Sequence, residues 1–213
     1  RVAHGLPVEN HYPAVAISRG DDFTDWEMVL IPAEKELGRV WGESTVVVNG
    51  ATILNVARYG GKPEKNRALV AVSEDFGRTW TPSRQSNLTM TTSKPFTGIL
   101  STGETYLIGT TTADCGARRT PLTIALSRPG ETQLRHVFAI RHAVFPDGPG
   151  PSGPQARLSY PYAIEHDGKL YVGYADKHHH TAELAIIPLS SLRGERNVSK
   201  RPHHMATTRI LRS

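Results

Sequence analysis

The 213-residue sequence predicts an all-β protein assembled from a repeated four-stranded unit, and three observations carry that expectation. Nineteen glycines and fifteen prolines punctuate many short β-branched runs, and few helical patterns interrupt them. Turn-forming pairs recur between strand-like runs at Asn49-Gly50, Thr102-Gly103 and Asp167-Gly168. A longer turn signal starts at Ser73 and has weaker copies starting at Ser18 and Ser127, a period of about 54 residues. Four short strands within a period of roughly fifty residues is the pattern of β-propeller blades.

The units follow in order. Residues 11–32 supply the outer half of one blade, with Pro13–Ile17 and Trp26–Ile31 as strands. Residues 43–84 form a complete blade through Thr45–Val48, Thr52–Arg58, Ala68–Ser73 and a strand from Trp80. Residues 96–141 form another through Gly98–Leu100, Thr105–Gly109, Leu122–Ser127 and Arg135–Ile140. Residues 158–189 supply Tyr160–Glu165, Lys169–Tyr174 and Glu183–Pro188. Between the last two, Pro146–Pro154 is too rich in proline and glycine to join a ladder and reads as an exposed loop. Residues 1–192 are thus expected to form a partial propeller, and 193–213, basic and irregular, a surface tail. About three and a half blades would leave sheet edges and a central face bare, so further N-terminal blades of the same propeller are expected to complete the ring.

The turn at Ser73-Glu-Asp-Phe-Gly-Arg-Thr-Trp80 explains itself chemically. It follows the apolar run Leu69–Val72, where a strand must end. Asp75 can accept backbone N–H bonds inside the turn, and Gly77 can take the positive φ that a tight reversal needs. The spacing Ser-x-Asp-x-Gly-x-Thr-Trp resembles the Asp-box of sialidases and related β-propellers. Ser18-Arg-Gly-Asp21 with Trp26, and Ser127-Arg-Pro-Gly130 with Phe138, resemble degenerate copies of it. The resemblance implies a sialidase-like six-bladed propeller, of which this chain is expected to be the C-terminal part.

The resemblance extends to residues that carry chemistry. Bacterial sialidases place a glutamate before an inner strand, an arginine at the end of that hairpin, an arginine eight residues ahead of a later Asp-box serine, and a tyrosine at the start of a late inner strand. The matching positions are Glu43, Arg58, Arg119 (ahead of Ser127) and Tyr160. Sialic acid carries a carboxylate on its anomeric carbon, and a guanidinium clamps a carboxylate through two parallel hydrogen bonds. A carboxylate nucleophile would be repelled there, whereas a neutral tyrosine is not, which is why sialidases depart from the two-carboxylate rule of glycosidases. A phenol with a pKa near 10 needs a neighbouring base. By this resemblance Tyr160 is the nucleophile, Glu43 its base, and Arg58 and Arg119 belong to the carboxylate clamp, giving a retaining exo-glycosidase for sialic acid or a related acidic sugar. The same pattern calls for a third arginine and an acid aspartate that match no position here. They are expected in the N-terminal blades, and the 213 residues alone are expected to be inactive.

Each position also has a purely architectural reading. Glu43 can bond the backbone where its strand begins, and Arg58 can be a solvated charge at a strand end. Arg118 and Arg119 point opposite ways if extended, and Tyr162 shares a strand face with Tyr160. Two rival functions remain open: a propeller acting on uronic-acid polysaccharides by hydrolysis or elimination, and a non-catalytic Asp-box module that binds glycans.

Bulk properties narrow the field. The net charge of +5 and pI near 9.5 favour anionic partners, here an acidic glycan. A nucleic acid is not expected, because basic and aromatic residues are not interleaved in a stripe. No apolar run reaches the roughly 20 residues of a membrane span, and a secreted or periplasmic location is expected. One cysteine, Cys115, excludes an internal disulfide. No cofactor or metal is expected: His178-His-His180 are adjacent on a hairpin tip and do not converge. Lys94, ahead of an inner strand, is a further candidate for lining the central pocket.

Overall fold

A computed structural model describes residues 12–37, 40–59, 67–111, 119–142 and 156–193, together with the backbone of 207–212. Strands β1 (Ala14–Ser18) and β2 (Trp26–Leu30) pair as a two-stranded sheet. Three four-stranded antiparallel meanders follow. The first contains β3 (Val40–Asn49), β4 (Thr52–Tyr59), β5 (Arg67–Ser73) and β6 (Arg84–Thr89). The second contains β7 (Phe96–Ile99), β8 (Glu104–Gly109), β9 (Leu122–Pro129) and β10 (His136–Arg141). The third contains β11 (Leu158–His166), β12 (Lys169–Asp176), β13 (Thr181–Pro188) and β14 (Thr207–Arg212). The protein is an all-β, sialidase-like propeller portion.

Two strand assignments differ from the sequence reading. The strand expected from Trp80 starts only at Arg84, because Pro82 offers no N–H and Trp80 is folded back over its own turn, its indole N–H donating to the Gly77 carbonyl at 2.8 Å. The tail expected over 193–213 contributes β14, which pairs with β13 and gives the last sheet its fourth strand. Its run Thr-Thr-Arg-Ile-Leu-Arg has the β-branched content of a strand, and its arginines made it look like a tail. The Pro146–Pro154 loop, Arg118 and Cys115 lie outside the described residues.

Alternation along the strands builds the seams between sheets. Ile108, Leu122, Ile124 and Ile140 pack against Leu158, Leu170, Val172 and Ile187, joining the second and third meanders. Val56, Ala68, Met90, Leu107 and Ala125 join the first and second. Each fully buried Leu or Ile contributes on the order of 2–3 kcal/mol. A cavity of about 220 Å³ remains in that latter seam, lined by Val56, Val70, Leu88, Tyr106 and Leu134 among others.

The opening strands of the three meanders stand side by side. Thr97 on β7 donates its N–H to Thr45 Oγ1 on β3 at 3.2 Å and its hydroxyl to the Val46 carbonyl at 3.1 Å. Phe96 on β7 meets Tyr162 on β11 with ring centroids 4.8 Å apart. Gly98 is required here, because a Cβ would lie 2.5 Å from the Tyr106 hydroxyl oxygen. The Tyr106 ring covers the bare strand in its place, and burial first, with the charge of Glu165 second, pushes its hydroxyl up to about 12.

The rim turn is wired through side chains. Asp75 Oδ1 accepts from the Thr79 N–H at 2.8 Å and the Ser73 hydroxyl at 2.8 Å, and Oδ2 accepts from the Thr79 hydroxyl at 2.6 Å. Gly77 has φ +86° and donates its N–H to Ser73 Oγ at 2.8 Å. The copy at Ser18 keeps a carboxylate bonded to a threonine and an indole bonded to a carbonyl, in a different spacing: Asp22, not Asp21, accepts from Thr24 two residues on rather than four, and the Trp26 indole donates to the Phe23 carbonyl at 2.7 Å. The third copy retains Ser127, which accepts from the Thr105 N–H at 2.9 Å, and Gly130 at φ +76°.

Candidate active site

Two irregularities in opening strands create the site. In β3 the register shifts between Val40 and Ser44, and Glu43 lies in that interval. In β11 it shifts between Ser159 and Tyr162, and Tyr160 occupies the bulge with φ +53°. A bulge bends the strand and re-aims a side chain, and a positive φ is rare for a residue as bulky as tyrosine. Tyr160 and Tyr162 are both exposed, with Pro161 buried between them, but they meet different partners. Tyr162 packs on Phe96, whereas the Tyr160 hydroxyl donates to Glu43 Oε1 at 3.1 Å.

Arg58 enters from the end of β4. Its Nη1 donates to Glu43 Oε2 at 2.7 Å and its Nε to Thr92 Oγ1 at 3.0 Å, while its guanidinium carbon lies 4.7 Å from the centre of the Trp41 ring. These contacts fix the guanidinium plane. Arg119 precedes β9. It forms a parallel bridge with Arg157, and its carbonyl accepts the Leu158 N–H at 2.9 Å, which ties it to the start of β11. Its Nη1 donates to Ser159 Oγ at 2.9 Å, and its guanidinium carbon lies 5.9 Å from the centre of the Tyr160 ring.

The structure thus brings Glu43, Arg58, Arg119 and Tyr160 into one cluster drawn from all three meanders. Burial pushes the Glu43 carboxyl up, but the Arg58 hydrogen bond and charge outweigh it. With help from the Tyr160 hydroxyl and the Arg119 charge, they hold the carboxyl below its ordinary range. For Arg119, burial and then the charge of Arg58 push the pKa down, while Tyr160 and Glu43 partly offset them. Glu43 is accordingly an anion that accepts the phenol proton's hydrogen bond, between two cations that can receive a carboxylate.

Lys94 is half-buried and takes no part in the hydrogen bonds that join the four. Its neighbour Thr92 does, by holding Arg58. Trp41, Thr92 and Ser159 are supports that the sequence reading did not single out. The signal for Trp41 and Ser159 was adjacency to the chemical residues; Thr92 had none. Among the described residues, no group of three or more His, Cys, Asp or Glu is placed to hold a metal ion. The seam cavity is lined by none of the four residues.

Comparison with known proteins agrees with this architecture. The family model described as the BNR repeat-like domain matches residues 2–172. Among solved structures, the chain is similar to the sialidase of Trypanosoma rangeli in complex with 2,3-difluorosialic acid (15% identity, TM-score 0.55, 81% of this chain and 27% of that one). It is similar also to the K499G mutant of NanB sialidase from Streptococcus pneumoniae (14% identity, TM-score 0.55, 78% and 24%). A third similar structure is the RS223 beta-xylosidase (14% identity, TM-score 0.53, 78% and 60%). The chain spans about a quarter of the length of those two sialidases. No curated protein matches in sequence. The family model covers well over half of the chain, its sheets are those of sialidase-type propellers, and the protein belongs to the BNR repeat-like domain family.

Proposed function

We propose that the protein is a sialidase-like, retaining exo-glycosidase acting on a terminal sialic acid or a related acidic sugar. The observation that carries this reading is the Tyr160 hydroxyl donating to Glu43 at 3.1 Å, with Arg58 and Arg119 in the same cluster. Arg58 and Arg119 receive the substrate carboxylate. The Tyr160 oxygen bonds to the anomeric carbon as its proton passes to Glu43 Oε1. The glycosidic C–O bond breaks with its electron pair on the leaving oxygen, which a general-acid carboxyl protonates. That acid, the aspartate of the family pattern, and a third arginine belong in this reading to further blades of the same propeller. Water, giving a proton to the carboxylate that served as general acid, then displaces the tyrosine, and Glu43 returns its proton to the phenolate oxygen, so that configuration is retained.

The substrate would be an extracellular glycan, and the protein that acts on it secreted or periplasmic. Among the described residues no helix is long and apolar enough to cross a membrane. The direct experiment uses the full-length protein, with and without Tyr160→Phe, on fluorogenic sialosides and glucuronides in parallel. Sialoside cleavage abolished by the substitution supports the reading. Turnover of the glucuronide alone replaces it with a uronic-acid enzyme, and glycan binding without any turnover replaces it with a lectin-like module.

A further inference from the structure

Lys177 belongs to no motif, yet its ammonium lies 4.3 Å from the centre of the Tyr160 ring. A surface lysine on a flexible stem would not ordinarily hold such a place, and its backbone explains why this one does. Lys177 opens the tip between β12 and β13, and that tip is fastened to the strand that carries Tyr160. The Lys177 N–H donates to the Arg157 carbonyl at 3.1 Å, and the Arg157 N–H donates to Asp176 Oδ1 at 3.1 Å. Asp176 is fully buried, accepts the His178 N–H at 3.1 Å, and has His179 Nδ1 at 2.5 Å from its other oxygen. One carboxylate therefore locks the tip and the foot of the β11 bulge together, and the ammonium is delivered to the ring from a fixed base.

We propose that Lys177 is a positioning residue for Tyr160. Its ammonium on the ring holds the phenol on its line to Glu43 and stabilises the charge that the ring gains as its proton leaves. The proposal rests on the reading of Tyr160 as nucleophile and deepens it. A cation is attracted to a neutral phenol ring, and more strongly to one becoming a phenolate. The contact is consequently worth more in the transition state than in the resting protein, which is the kind of interaction that raises kcat rather than lowering KM. Arg119, 5.9 Å from the same ring, is engaged by Ser159 and assigned to the substrate carboxylate, so the two cations divide the work.

The test pairs a spectroscopic signature with kinetics, in the full-length protein carrying ring-labelled tyrosine. Tyr160→Phe identifies the Tyr160 ring resonances by their loss. Lys177→Met is expected to displace those resonances and spare those of Tyr162, while Lys177→Arg, which keeps a cation on the ring, leaves them near their original positions. In turnover, Lys177→Met should lower kcat roughly tenfold with KM within about twofold, and Lys177→Arg should recover most of it. Tyr160 resonances unmoved by Lys177→Met, or an unchanged kcat in an active protein, would overturn the proposal. Displaced resonances in a protein that cleaves neither glycoside would support the placement of Lys177 and sink the hydrolase reading alone.

Discussion

The rim turn at Ser73–Trp80 and the cluster around Tyr160 are made of the same parts. Each centres on a carboxylate that accepts from at least one hydroxyl and includes an indole that packs on or bonds to another member. In the turn every partner of Asp75 lies within four residues of it in sequence. In the cluster the partners come from three sheets, and Tyr160 is 117 residues away from Glu43. Local wiring closes on itself and stabilises a reversal. Long-range wiring leaves edges that can meet a ligand: Tyr160 is 38% exposed, whereas Gly77 and Ser73 are buried. The difference predicts that the turn governs stability and the cluster governs chemistry.

The strongest way to break that division is Tyr160→Phe. It should reduce turnover by about 10³-fold or more while the melting temperature stays within about 2 °C, read by kinetics and calorimetry on one preparation. Glu43→Gln comes next, with an expected loss of about 10²–10³-fold in kcat. Because Glu43 titrates below its ordinary value of 4.5, the acid limb of kcat/KM due to this group should lie below that pH, and a limb above it would remove Glu43 as the base.

Asp75→Ala should reverse the pattern, lowering the melting temperature by about 3–6 °C with kcat unchanged. The Asp75 carboxyl is held down at about 2, chiefly by the Thr79 hydroxyl and N–H and then by Ser73. Its contribution is therefore present above the unfolded value near 4 and is lost as pH falls from there toward about 2. An Asp75→Ala protein whose stability deficit persisted unchanged at pH 2 would contradict that wiring. Asp22→Ala should have the smallest effect, about 1–2 °C, because its bond to the Thr24 N–H is 3.2 Å and spans two residues, against 2.8 Å and four residues for the Asp75 bond to the Thr79 N–H.

This contrast also explains what the sequence disclosed. The Asp75–Gly77–Trp80 spacing is a local device, so the turn, its period and the blade order could be read from residues alone. The chemical residues were reached through spacing relative to such turns. What escaped notice depended on backbone events without a local signature. The bulge at Tyr160, the Thr92 hydroxyl under Arg58, and the Asp176 anchor beneath Lys177 are set by neighbouring strands. β14 escaped because its arginines masked a pairing that only the edge of β13 reveals.

The Tyr160–Glu43 bond joins the first and third meanders and passes over the second, whose β7 stands between them. It is a chord across an arc, and the middle sheet is the spacer that sets its length. A change in the thickness of either seam is expected to be carried to the gap between phenol and carboxylate. The unfilled volume between β4, β5 and β8 is slack in that spacer. Substitutions there, distant from all four site residues, are expected to shift the gap between phenol and carboxylate, so the packing of the middle sheet, which itself lends Arg119, also sets the spacing of the two groups on either side of it.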